Sequence, residues 1–132
     1  MNTEVKARWL KALRSGDYQQ GKGALHIQDK HAYCCLGVLC DLAVGAGIGI
    51  ALDDTITYSD YYTDEDGEGS ALKTTTFDRE SEYLPGAVQE WAGLADGSPL
   101  LQVEGEFVAI DGLNDKRDFT FSQLADLIEE QL

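Results

Sequence analysis

The sequence predicts an α+β fold: about four helices, one of them central and buried, packed on a small, mainly antiparallel sheet. Three observations carry the prediction. Apolar residues recur at helical spacing near both ends of the chain, first in Val5, Trp9, Ala12 and Leu13, then in Phe121, Leu124, Ile128 and Leu132. Between them lies a nearly uncharged run, Cys34 to Val44, whose one charge is Asp41, a composition that suits a helix covered on most sides. Short alternating segments closed by glycines or polar turns fill the remainder. At 132 residues the chain makes a single domain, residues 1–132, long enough to bury a core without staples.

The elements follow in order. Thr3 to Arg14 is the first helix, stopped by Ser15 and Gly16. "YQQGKG" is a glycine-punctuated loop, and "ALHIQ" is a short strand turned by Asp29 and Lys30. "GAGIG" ends the buried helix. Residues 51–71 hold seven carboxylates and no lysine or arginine, the composition of a solvated, mobile acidic insertion, with "TITY" and "LKTTTF" as its strands. A short helix starts near Pro85, where proline loses no needed hydrogen bond, and ends at Gly93. "LLQVEGEFVAI" reads as a hairpin joined by Glu104 and Gly105. After the turn "DGLNDKRD", Thr120 and Gln123 form a capping box that opens the last helix.

Lysine and arginine total 10 against 24 aspartates and glutamates, a formal charge of −14. Such a surface repels phosphate backbones and anionic lipid headgroups, so direct nucleic-acid and membrane binding are disfavoured, while a basic protein surface is a permitted partner. The only basic cluster, Lys6, Arg8, Lys11 and Arg14, lies along the first helix. Charges throughout the first sixteen residues leave no signal-peptide core, and the expected location is cytoplasmic. Three cysteines, an odd number, are expected to be free thiols.

At about 100° per residue, Cys35 and Cys40 fall on apolar stripes of their helix, as core residues do. Cys34 instead aligns with Gly37 and Asp41 and opens the helix, where the dipole lowers a thiol pKa. Cys34 is therefore the only candidate nucleophile. Its possible bases, His26 and His31, both lie upstream, and a papain-like set built with Gln20 and Asn114 lacks its downstream histidine. His26, His31, Cys34 and Cys35 make a poor zinc site, because adjacent cysteines are hard to bring tetrahedrally onto one ion. "DYYTDEDGEG" fails as a calcium loop: with Gly67 sixth, Tyr62 stands first and Lys73 twelfth, where oxygen ligands are required. No metal and no cofactor are expected. Gly37 costs about 1 kcal/mol inside a helix, which implies the close approach of another backbone, with the Gln20-Gly21 loop as the expected neighbour.

Four stretches, "WLKALRSGDYQQGKGAL", "YCCLGVLCDLA", "LPGAVQEWAGL" and "LNDKRDFTFSQLADLIEEQL", together resemble a widespread family of small phage and prophage proteins of uncharacterised function. Its marks are a Tyr-x-Gln-Gly loop, a Cys-Cys-Leu-Gly-Val-Leu-Cys helix and a late Leu-Asn-Asp before a Thr-Phe capped helix. The resemblance covers residues 9–44 and 83–130, outside which Gly45 to Glu82 falls. It implies a viral or prophage accessory gene rather than a chemistry, with Gln20, Cys34, Cys35, Asn114 and Asp115 as its polar signature.

The reading favoured by charge and resemblance is a non-enzymatic phage or prophage accessory protein that binds a host component, such as a defence or nucleic-acid-handling protein with a basic surface. A second reading is a small-ligand binder, for a nucleotide-like anion, in which Gln20, Gly21, Asn114 and Asp115 converge on the Cys34 helix N-terminus. A third is a cysteine-dependent hydrolase using Cys34.

Overall fold

A computed structural model describes residues 1–132 and shows an α+β fold of five helices, a five-stranded mixed sheet and a two-stranded hairpin. Helix α1 (Thr3–Ser15) is capped by Asn2, whose side-chain oxygen accepts from the Val5 amide at 3.0 Å, and is closed by Gly16 at φ 79°. Its predicted stripe, Val5, Trp9, Ala12 and Leu13, is the buried face. Strands β1 (Gln19–Gln20), β2 (His26–Ile27) and β3 (Ala32–Tyr33) are two-residue pieces, and a 3-10 turn at Gln28–Lys30 separates the last two. Helix α2 (Cys35–Gly45) follows, with Cys34 as its N-cap.

Strands β4 (Leu52–Thr63) and β5 (Gly69–Phe77) form a long antiparallel hairpin. The acidic segment is thus not a loop between two short strands but is paired over most of its length. The β-propensity of Asp53 and Asp54 is poor, yet they pair with Thr76 and Thr75 on a threonine-rich neighbour, and their side chains stay in solvent. At the tip, the Asp64 carboxylate accepts from the Asp66 and Glu68 amides at 2.9 and 3.0 Å. The sheet order is β1-β3-β2-β5-β4, with only β1 and β3 parallel, so β4 is an outer strand.

Helix α3 (Gly86–Ala92) starts after Pro85 and ends at Gly93 in the left-handed region. Strands β6 (Leu100–Val103) and β7 (Glu106–Ala109) turn at Glu104 and Gly105, both at positive φ, as the hairpin twist requires. Helix α4 (Ile110–Asp115) begins on the last residue of the expected hairpin and takes in five residues expected to be a turn, 111–115, and α5 (Phe121–Gln131) carries both bonds of its capping box. No helix is long and apolar enough to cross a membrane.

Helix α2 is the centre of the core: Cys35, Leu36, Val38, Leu39, Cys40 and Ala43 are each 0% exposed. Trp9, equally buried, donates its indole N–H to the Cys35 carbonyl at 2.9 Å, which fixes α1 across the first turn of α2. The backbone just before β2 crosses the same turn so closely that a Cβ on Gly37 would lie 1.7 Å from the Leu25 carbonyl oxygen. Gly37 does admit another backbone, but it is Leu25, not the Gln20-Gly21 loop. The Leu25 carbonyl accepts from the Cys34 amide at 3.3 Å, and its own amide donates to Ser81 at 2.7 Å, so the strand cannot back away without losing both bonds.

Gly37→Ala is expected to destabilise the protein by about 3 kcal/mol, the upper part of the usual range for overpacking, and to lower Tm by roughly 10 °C. Thermal unfolding followed by circular dichroism measures this, and an unchanged Tm would show that the crossing can open.

Candidate functional site

Residues that the sequence singled out meet at the N-terminal end of α2. Asn114, 0% exposed on α4, is their hub. Its side-chain oxygen accepts from the Gln20 side-chain amide at 2.8 Å and from the Cys35 backbone amide at 3.3 Å. Its NH2 group donates to the Gly21 carbonyl and to the Asp115 carboxylate, each at 2.8 Å. Gln20 also donates to the Phe119 carbonyl at 2.8 Å and accepts from the Phe121 amide at 3.1 Å, which satisfies an orphan donor in the first turn of α5. Gly21 lies at a tight passage, where a Cβ would come within 2.9 Å of the Ala32 Cβ. One buried network therefore joins β1, α2, α4 and the start of α5.

The polar capacity of Gln20 and Asn114 is spent inside the protein, and no buried side-chain nitrogen or oxygen lacks a partner. Two amides at the N-terminus of α2 are likewise engaged. Asn114 takes the Cys35 amide, and the Cys34 sulfur accepts from the Gly37 amide at 3.4 Å. An approaching anion would find those two amides already bonded.

Cys34 departs from its expected setting. It caps the helix rather than starting it and is 3% exposed, and its neighbour Gly37 is buried as well. Asp41, aligned with it in the sequence, lies apart and accepts from the Tyr18 hydroxyl at 2.5 Å. The helix terminus was expected to lower the Cys34 pKa. Burial instead pushes the thiol up to about 12, outweighing the Gly37 amide that favours the thiolate. Cys35 and Cys40 are raised by the same cause, and all three thiols are free. His26 stacks on Tyr33 at 4.1 Å between ring centroids and bonds to Thr75 at 2.9 Å, and burial lowers its pKa. His31 stands exposed in a left-handed turn, so neither histidine lines the space beside Cys34.

That space is a cavity of about 510 Å³ between β4 and α4, with Cys34 at its base. Four carboxylates line it, Asp60 from β4, Glu82 from the segment before α3, and Asp111 and Asp115 from α4, against one cation, Lys116. None of the four pairs with a lysine or arginine. Tyr58, Tyr61 and Tyr83 line it as well and are 65%, 43% and 45% exposed, a high value for such large rings. The tyrosines register the local field. The Asp111 charge, then that of Glu82, raises the Tyr83 hydroxyl above its ordinary value, while burial followed by the Asp115 charge raises Tyr61. Burial also raises the Asp115 carboxyl, against the bonds it accepts from Asn114 and Gly23.

Asp115 is the one signature residue besides Cys34 that lines this cleft, since Asn114 points inward and its neighbour outward. Most of the lining was not singled out in the sequence. Asp60 was one acid among many there, and Glu82 and Tyr83 belong to no local pattern. A family model described as a domain of unknown function, DUF8296, matches residues 1–132. The chain belongs to that family. No curated protein and no solved structure matches it.

Two outcomes check this geometry. Asn114→Ala leaves the Cys35 amide and the Gly21 carbonyl without partners and is expected to cost about 3 kcal/mol in urea unfolding. In the native protein at pH 8 the three thiols are expected to resist a thiol-reactive disulfide, and all three should react in denaturant. Fast native labelling of Cys34 would show that the base of the cleft opens.

Proposed function

We propose that this chain is a non-enzymatic binding protein, a phage or prophage accessory factor whose acidic cleft engages cationic side chains on the basic surface of a host protein. The observation that carries the reading is the cleft itself, lined by four carboxylates without a lysine or arginine partner, by the exposed Tyr61 and Tyr83, and by a single lysine. Carboxylates hold a guanidinium or ammonium group by charge-assisted hydrogen bonds, and ring faces hold it by cation–π attraction, so the two residue types favour the same ligand. The formal charge of −14 extends the attraction beyond the cleft and would speed encounter with a basic partner.

The other two readings have less support. A nucleotide-like anion would meet carboxylates in the cleft, with the Cys35 and Gly37 amides of α2 already bonded. A hydrolase would need an ionised Cys34 and a base beside it, whereas burial holds the thiol protonated and no histidine lines the cleft.

The test is titration with N-acetyl-arginine methylamide, followed by chemical-shift changes of the tyrosine rings. Binding is expected to weaken as salt rises, to fall about tenfold in the Asp60→Asn, Glu82→Gln double variant, and to be unchanged in Glu130→Gln. Affinity should also fall as pH drops from 7 to 4. The Asp115 carboxyl is held above the usual carboxylate value, so it takes up a proton and loses its charge early in that descent. Shifts confined to residues outside the cleft, or a double variant that binds like the parent, would sink the reading.

A further inference from the structure

Strand β4 pairs with β5 on one side and with nothing on the other. None of the backbone hydrogen bonds made outside the regular elements involves residues 52–63, and apart from the Tyr61 amide, which donates to the Ser59 hydroxyl at 3.2 Å, the outward amides of β4 have no side-chain partner. The cavity meets this strand in a particular way. Five consecutive residues, Thr57 to Tyr61, line it, and no residue of β5 does. Successive strand residues point to opposite faces, so a space that touches all five runs beside the backbone edge, not over one face of the sheet.

The two faces of that edge differ. On the inner face, Ser59 is buried and Glu82, Asp111 and Asp115 stand across the cavity, while the other face carries Ile56 and Tyr58, 67% and 65% exposed, with Asp60 next in the same alternation. Across the hairpin their partners are Lys73 and Ala71, which leave both side chains uncovered. A chain laid along the edge would therefore meet Glu82, Asp111 and Asp115 with every second side chain, and Ile56 and Tyr58 followed by Asp60 with the others. Charge also selects the occupant. A second copy of this chain would bring Asp53, Asp54 and Asp60 against the same residues, whereas a basic segment compensates them.

We propose that the open edge of β4 receives an extended segment of the partner protein by strand addition, with alternate side chains cationic toward the cleft and apolar beside Ile56 and Tyr58. This deepens the reading of the cleft as a cation site and rests on it. Main-chain hydrogen bonds would supply affinity, and the two-sided pattern would supply selectivity.

The probes are the capped peptide Ac-Val-Arg-Val-Arg-Val-Arg-NH2 and two derivatives, one N-methylated at every valine and one at every arginine. In a strand the amides of the two residue types point to opposite edges, so strand addition predicts that one derivative loses about tenfold or more in affinity and the other binds like the parent. In amide exchange, alternate residues of β4 should become protected on adding the parent, while the intervening amides, already bonded to β5, should not change. Equal affinities of the three peptides, or a parent that binds no better than N-acetyl-arginine methylamide, would overturn strand addition and leave the cation site standing. If neither the single arginine derivative nor any peptide binds, both readings fail together.

Discussion

The close crossing of Leu25 over the first turn of α2 is the constraint on which the rest of the structure depends. With a glycine at position 37 the carbonyl before β2 reaches the helix backbone, bonds the Cys34 amide and sets the sheet directly against the central helix. Every other element takes its place from that contact. Trp9 spans the same turn from the other side by bonding the Cys35 carbonyl, and Asn114 completes it by accepting from the Cys35 amide. The helix start is thus held from three directions by elements far apart in sequence. Burial on most sides explains why the helix is so apolar: its one charge, Asp41, sits on the part-exposed side and accepts from the Tyr18 hydroxyl.

The same turn of α4 serves two environments. Asn114 faces inward and has spent its hydrogen bonds, while Asp115 faces the cleft and keeps a carboxylate at its wall. Their side chains are bonded to each other, so the position of the cleft acid is inherited from the core. A cleft wall set by a buried network holds its charges in place before a ligand arrives, which lowers the ordering cost of binding. The opposite wall, β4, is held by β5 and by bonds near its two ends, from the Gln28 side chain to Asp54 and from the Lys22 amide to the Tyr62 hydroxyl.

Local chemistry was legible in the sequence, and long-range placement was not. The capping box at Thr120 and Gln123, the hairpin turn at Glu104 and Gly105, and the buried faces of α1 and α5 each follow from residues within one or two turns of each other. Gly37 was readable in kind, since a helical glycine signals close approach, but nothing local names Leu25 as the neighbour. Helix α4 was hidden because Gly112, Asn114 and Asp115 have turn chemistry, and tertiary bonds to Asn114 override it. Cys34 misled because two physical effects oppose each other there, and burial, which only the fold reveals, outweighs the helix terminus. The cleft was the least visible part. Asp60, Glu82 and Asp111 come from three separate segments, and each alone is an ordinary surface acid.

The buried thiols have a consequence for when this protein is chemically vulnerable. Once folded, Cys34, Cys35 and Cys40 act as small apolar residues, shielded from oxidants and held in their unreactive form. Before folding, the same segment exposes three ordinary thiols, two of them on adjacent positions. Oxidation during that interval would place polar sulfur at the centre of the molecule, where there is no room and no hydration. Damage by oxidants is therefore a hazard of synthesis rather than of service, and chains that complete α2 early leave it behind.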